Sequence, residues 1–295
     1  PMMLGLAESF GFIYWKMSIM NLPFIGGRSK QFELTKTLCR NLNISLDARE
    51  TTSKKKAWSN ITEFVDEEKP VGVQLDFYHL DYFNTNSHFA GHFACIYGYD
   101  DENAYIADTG SLYKTALPNL ENARFEKGPM SAKARSWTLQ IKEPLPDFRN
   151  IIPKAVKEVA SGFLNPPLKC FGYPGIHKLG NEIVNWMEMA QNPQEDFVDM
   201  AELMENGGTG GALFRNIYRD FLEECLIYLP VNQSIKQAHE LYKTAADYWT
   251  QIIALIHRAG NTCERVYLEK ASALCYETAE VEKRAMEFLF TIQNN

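Results

Sequence analysis

Long apolar runs, paired cysteines and basic stripes are all missing from this sequence of 295 residues, and each absence removes a class of protein. No apolar stretch approaches the roughly 18–20 residues that cross a bilayer. The start, Pro1-Met2-Met3-Leu4-Gly5-Leu6, has neither the basic segment nor the apolar run of a secretory signal. The six cysteines, at 39, 95, 170, 225, 263 and 275, show no Cys-x-x-Cys spacing. They read as reduced thiols filling a core, and the compartment expected is the cytoplasm. The histidines do not gather with cysteines at ligand spacing, so no metal is expected. The formal net charge is −7, neither half has a basic excess, and Lys54-Lys55-Lys56 is the one short basic run. Nucleic acid and membrane partners are therefore not expected.

What the sequence does have is apolar mass. Hydrophobic residues make up 45% and aromatics 13%, enough to fill one large core or two ordinary ones. The pattern changes near residue 145. Before it, helices are predicted over about 30–42 and 53–68, the second with Ser53 as cap. Strands are predicted at 71–77, 93–97, 104–108, 112–116 and 136–141, with a turn at Tyr99-Asp100-Asp101. Beyond Pro144 and Pro146 helical spacing dominates: 175–191, 211–229, a long segment from Asn232 or Ser234 to about 258 stopped by Gly260, and 261–292. The expectation is an α+β domain, 1–145, with a mostly antiparallel sheet, followed by an all-α domain, 146–295.

The stretch Gly91 to Asp108 carries the chemistry. In a hairpin centred on Asp100, Ile96 faces Ala104, Ala94 faces Ile106, and His92 faces Asp108. Directly opposed side chains lie about 4.5–5.5 Å apart at Cβ. A carboxylate there can fix an imidazole's tautomer and stabilise imidazolium, as the third member of a nucleophile–base–acid triad does. A slip of one residue would put the two on opposite faces, and a His–Asp surface pair is the plain alternative. Cys95, three residues from His92 on the same strand, points to the other face.

Other candidates are weaker. Gly207-Gly208-Thr209-Gly210-Gly211 reads as the opening of a helix whose N–H groups, with Thr209, can meet a phosphate. A hinge capped by Thr209 is the competing reading. Arg215 is suited equally to a bound anion or to a bundle carboxylate. Asp76, Tyr78, Asp81 and Tyr82 follow the 71–77 strand, where the carboxylates can hold a cationic amine or simply finish a polar strand end.

Several of these blocks, in this order, resemble the butirosin biosynthesis protein H family. The residues are Leu4-Gly5-Leu6, Gly11-Phe12-Ile13-Tyr14, Asp76 to Tyr82, Gly91 to Asp108, Gly207 to Arg215, Tyr218 and Phe221-Leu222. His92-Phe93, an apolar strand, Gly98-Tyr99-Asp100-Asp101 and Asp108 also resemble the papain-like cysteine peptidase superfamily. The resemblance implies a papain-like domain followed by a helical domain of uncharacterised function. It implies acyl transfer from an acyl carrier protein to a small amine acceptor through a Cys acyl-enzyme, with His92 as base and Asp108 as orienter. The donor would be phosphopantetheine-linked, with no resident cofactor. A thiol peptidase or amidase using the same pair, or a catalytically dead binding module, are the alternatives.

The resemblance also implies a low-pKa cysteine at a helix start, in a His-Cys element ahead of Gly5. No cysteine precedes Cys39, and Cys39 itself lies on the apolar face of a predicted helix. The nucleophile is therefore expected upstream of Pro1. Docking of an acidic carrier protein needs basic side chains, for which Lys54-Lys55-Lys56 with Arg49 is the candidate. The oligomeric state stays open, a homodimer included.

Overall fold

The computed structural model describes residues 1–17, 20–28, 31–85, 88–128 and 130–292. In chain order the elements begin with α1 (Met2–Leu6), β1 (Phe10–Trp15), β2 (Phe24–Arg28) and α2 (Gln31–Asn41). Next come β3 (Ser45–Arg49), α3 (Lys54–Val65), β4 (Val71–Leu75), β5 (His92–Tyr99), β6 (Asn103–Asp108), β7 (Ser111–Ala116), α4 (Leu117–Phe125) and β8 (Ser136–Gln140). The rest is helical: α5 (Phe148–Leu164), α6 (Gly172–Ile183), α7 (Trp186–Met189), α8 (Pro193–Asn206), α9 (Arg215–Tyr228), α10 (Gln233–Thr262) and α11 (Arg265–Phe290). Among the described residues no helix is long and apolar enough to cross a membrane.

The protein is thus mixed α/β, with antiparallel sheets and a helical C-terminal region. It divides into two compact units, one of residues 43–144 and one of residues 1–42 with 145–295. The grouping of 1–42 with the helices differs from the partition at residue 145 drawn from sequence. Its physical cause is aromatic packing. Phe10, Phe12 and Tyr14 alternate inward along β1. Phe10 stacks on Tyr218 at 4.0 Å, Phe12 packs on Trp249, and Trp186 donates its indole N–H to the Tyr14 hydroxyl.

The helical unit departs from the predicted segments in two places. Asn232 caps α10 by accepting from the Ile235 amide at 3.0 Å. Gly260 does not stop that helix, which runs on to Thr262 and ends at Cys263 with a φ of 54°. Gly260 instead allows close approach of α8, since a Cβ there would lie 3.1 Å from Phe197. The expected 211–229 helix starts later, at Arg215, after a turn in which Ala212, Leu213 and Phe214 all have positive φ.

The unit of residues 43–144 is a six-stranded antiparallel sheet in the order β3-β8-β4-β5-β6-β7. Ser53 caps α3 through the Lys56 amide. Val71, Val73 and Leu75 of β4, Ala94 and Ile96 of β5, and Ala104 and Ile106 of β6 join Ile61, Leu120 and Ala123 from α3 and α4 in one buried cluster. Such alternation buries one face of each strand and fixes the register, because a one-residue slip would expose the whole row. Trp137 of β8 lies over Gly72 of β4, where a Cβ would come within 2.2 Å of the indole.

Candidate functional site

His92 opens β5 and Asp108 closes β6, at the same end of the two neighbouring strands. The observed register pairs Cys95 with Ala107 and Ile96 with Ile106, and an irregularity between Ile96 and Gly98 carries the extra residue of the turn. The expected direct opposition of His92 and Asp108 is therefore replaced by a diagonal one, two positions offset. An even offset keeps both residues on the face of Ala94, Ile96 and Ile106, and diagonal neighbours remain within reach of long side chains. The His92 Nε2 and Asp108 Oδ2 atoms lie 2.7 Å apart.

Three features define the chemistry of this pair. The Asp108 side chain is 2% exposed and that of His92 17%, so the imidazole has a solvent-facing edge and the carboxylate has almost none. The Tyr82 hydroxyl donates to the same Asp108 Oδ2 at 2.8 Å, and its ring stacks on Tyr113 at 4.1 Å. Burial, reinforced by Asp108, pushes the Tyr82 phenol far above its usual range, so it remains a donor. An ionised carboxylate only accepts, so Nε2 of a neutral His92 carries the hydrogen and Nδ1 holds the lone pair. Among the described residues Nδ1 takes no hydrogen bond. Phe77 and Phe83 meet the imidazole edge-on, at 5.9 and 5.3 Å between ring centres, and fix its plane. The result is an oriented imidazole whose Nδ1 has no partner among the described residues.

The remaining sequence candidates do not join this pair. Asp76 is 1% exposed, accepts from the Tyr78 and Phe89 amides, and faces His88 Nδ1 at 3.1 Å. It holds the loop after β4 rather than presenting a carboxylate to an amine. Tyr78 is exposed and its ring lies 4.0 Å from that of His88. Asp81 accepts from Thr115, the Ala116 amide and Asn119, tying the loop to the junction of β7 and α4.

In the helical unit, Thr209 is buried and directs its hydroxyl to the Met204 and Glu205 carbonyls. The glycines close α8 instead of opening a helix: the Gly207, Gly208 and Gly211 amides all donate to carbonyls of 203–206. These three amides and the Thr209 hydroxyl are engaged within the chain end of α8 itself, as the hinge reading of Thr209 expects. Arg215 is wholly buried, gives two hydrogen bonds to Glu282 and one to the Leu213 carbonyl, and packs on Phe10 and Trp249. Its partner is the bundle carboxylate, not an incoming anion. A cleft of about 380 Å³ in this unit is floored by Phe10, Phe12 and Phe163 and rimmed by Arg28 and Glu158, without His92 or Asp108.

Within the unit of residues 43–144 no thiol shares the face of His92. Cys95 is the one cysteine of the 43–144 unit, stands on the opposite face of β5, and has its thiol pushed up by burial. Burial likewise raises Cys39, Cys225 and Cys275. The residue that sequence reasoning missed is Tyr82, which was grouped with an amine site. It comes from a loop 26 residues ahead of Asp108, and only the folded sheet brings the two together.

An antiparallel sheet with an oriented His–Asp pair at one end of two interior strands, in a chain that also has a helical unit, is the architecture on which the comparisons bear. The family model described as Butirosin biosynthesis protein H, N-terminal, matches residues 1–109, and that described as Domain of unknown function (DUF4872) matches 118–289. The chain belongs to the DUF4872 family over more than half of its length, and its N-terminal part is a butirosin biosynthesis protein H N-terminal domain. No curated protein matches it.

Proposed function

We propose that this protein is a papain-like acyltransferase of secondary metabolism, acting in the biosynthesis of an antibiotic-type product. The observation that carries the reading is the imidazole of His92, oriented through Nε2 by a buried Asp108 and with no hydrogen-bond partner at Nδ1 among the described residues. The family name supports the metabolic setting, and the antiparallel sheet that presents the pair supports the papain-like comparison. In this reading a cysteine thiol, expected upstream of Pro1, gives its proton to His92 and attacks the carbonyl of a carrier-protein thioester. The carrier's pantetheine sulfur leaves and takes that proton. The acceptor amine then attacks the acyl-enzyme, gives its proton to His92, and the enzyme's sulfur departs as thiolate, leaving an amide. Asp108 stabilises the imidazolium in both halves.

Docking of an acidic carrier falls to Lys55 and Lys56. Both are exposed on the first turn of α3, whereas Lys54 is paired with Glu121 and Arg49 with Asp47 and Glu63. The test is incubation of the full-length protein with an acyl-pantetheine thioester and a panel of amines, read by mass spectrometry. Amide formation that fails in His92→Ala supports acyl transfer. Release of free acid alone points to the amidase alternative, and neither product points to a binding module.

A further inference from the structure

Beside the loop that carries Phe77, three side chains converge that no part of the acyl-transfer reading uses. His79 closes the turn at Phe77–His79, Glu126 follows the last residue of α4, and His88 lies in the loop before β5. One ligand-capable atom from each lies within 4.8 Å of the other two. His79 Nε2 and Glu126 Oε2 are 2.7 Å apart. We propose that His79, His88 and Glu126 form a binding site for a divalent transition metal of the zinc class.

Four observations support it. Two imidazoles and one carboxylate are a donor set that borderline divalent ions prefer, and three protein ligands leave a position for water. The buried Asp76 carboxylate, 3.1 Å from His88 Nδ1, makes the outer contact that orients metal-ligating histidines and leaves Nε2 as the ligand. The Tyr78 ring lies against His88 and fixes its plane. The site is open to solution, with His88 52%, Glu126 32% and His79 20% exposed, so an ion has a path in. A bound ion would tie the His79 turn, the His88 loop and the end of α4 together, and thereby the segment that seats Phe77 against His92.

The test uses the metal alone and does not depend on acyl transfer. Full-length protein carrying Cys263→Ser, which removes the exposed thiol as a competing ligand, is titrated with Zn²⁺ against a chromophoric chelator. Co²⁺ substitution is followed by visible absorption. The expected results are one ion per chain, the absorption of a four- or five-coordinate Co²⁺ site, and a raised melting temperature. His88→Ala and Glu126→Gln, at solvent-accessible positions, should each weaken binding by at least about 100-fold, and loss of the outer contact in Asp76→Asn by about 10–100-fold. Unchanged affinity and stoichiometry in the folded His88→Ala/Glu126→Gln double variant, or no binding by the parent protein, overturns the site.

Discussion

His92 and Asp108 meet across a diagonal of the sheet, Nε2 to Oδ2 at 2.7 Å, at the end of the row of side chains that forms the core of their unit. The one-residue bulge near Gly98 brings the net offset from the simple hairpin to two, an even number, so the pair survives a turn different from the simple one. The shared oxygen also receives Tyr82. If His92 is the base of the proposed acyl transfer, His92→Ala should lower kcat by about 10²–10⁴. Asp108→Ala should approach that effect, because the imidazole loses its orientation. Tyr82→Phe leaves the His–Asp contact in place and should cost about tenfold, the equivalent of 1.4 kcal/mol in the transition state. Steady-state kinetics in which Tyr82→Phe falls as far as His92→Ala would show that the hydroxyl, not the imidazole, is the working group.

Arg215 and Glu282 are both 0% exposed, and Glu282 also accepts the Trp249 indole N–H at 2.5 Å. Removing one partner of such a pair leaves an uncompensated buried charge, at a cost of about 3–5 kcal/mol. Glu282→Ala should therefore destabilise the helical unit by that amount in denaturant titrations. The double variant Arg215→Met/Glu282→Leu should regain most of it. If Arg215 served a substrate, the double variant would be stable yet fail to bind, and the single variant would show no large loss.

Asp81 predicts a pH dependence. Partial burial raises its carboxyl, but hydrogen bonds from Thr115, the Ala116 amide and Asn119 outweigh this and bring it below the usual 3.8. A depressed folded pKa means that the native state holds its proton less tightly than the unfolded chain. The contribution to stability is therefore complete above about pH 3.8 and drains away as pH falls through the lower folded value. Hydrogen exchange at the Ala116 amide should accelerate over that window, and Asp81→Asn should flatten the response. A profile unchanged by the substitution would assign the acid sensitivity elsewhere.

Much of this was legible in the residues. The strands of the 43–144 unit announce themselves by short β-rich runs between turns, and the His–Asp spacing needs only a hairpin to become a contact. β1 carries its own signal: Phe10, Phe12 and Tyr14 alternate with Gly11, Ile13 and Trp15, the period of a half-buried strand. What local spacing cannot show is closure over distance. Arg215 suits an anion or a carboxylate equally until the fold supplies Glu282, 67 residues on. His79, His88 and Glu126 obey no ligand spacing because they come from a turn, a loop and a helix end. The glycines at 207–211 misled for a related reason, since the same residues that open a helix N-terminus also close a helix C-terminus.

The central claim is that His92 activates a thiol, and the rate of thiol alkylation in the full-length protein tests it most directly. Each cysteine is followed by peptide mass mapping in the parent, His92→Ala and Asp108→Ala proteins. The account predicts one cysteine, ahead of Pro1, that reacts far faster than the others and slows on either substitution, while the buried thiols at 39, 225 and 275 stay slow throughout. Uniformly slow thiols, or a fast cysteine indifferent to His92, would contradict it.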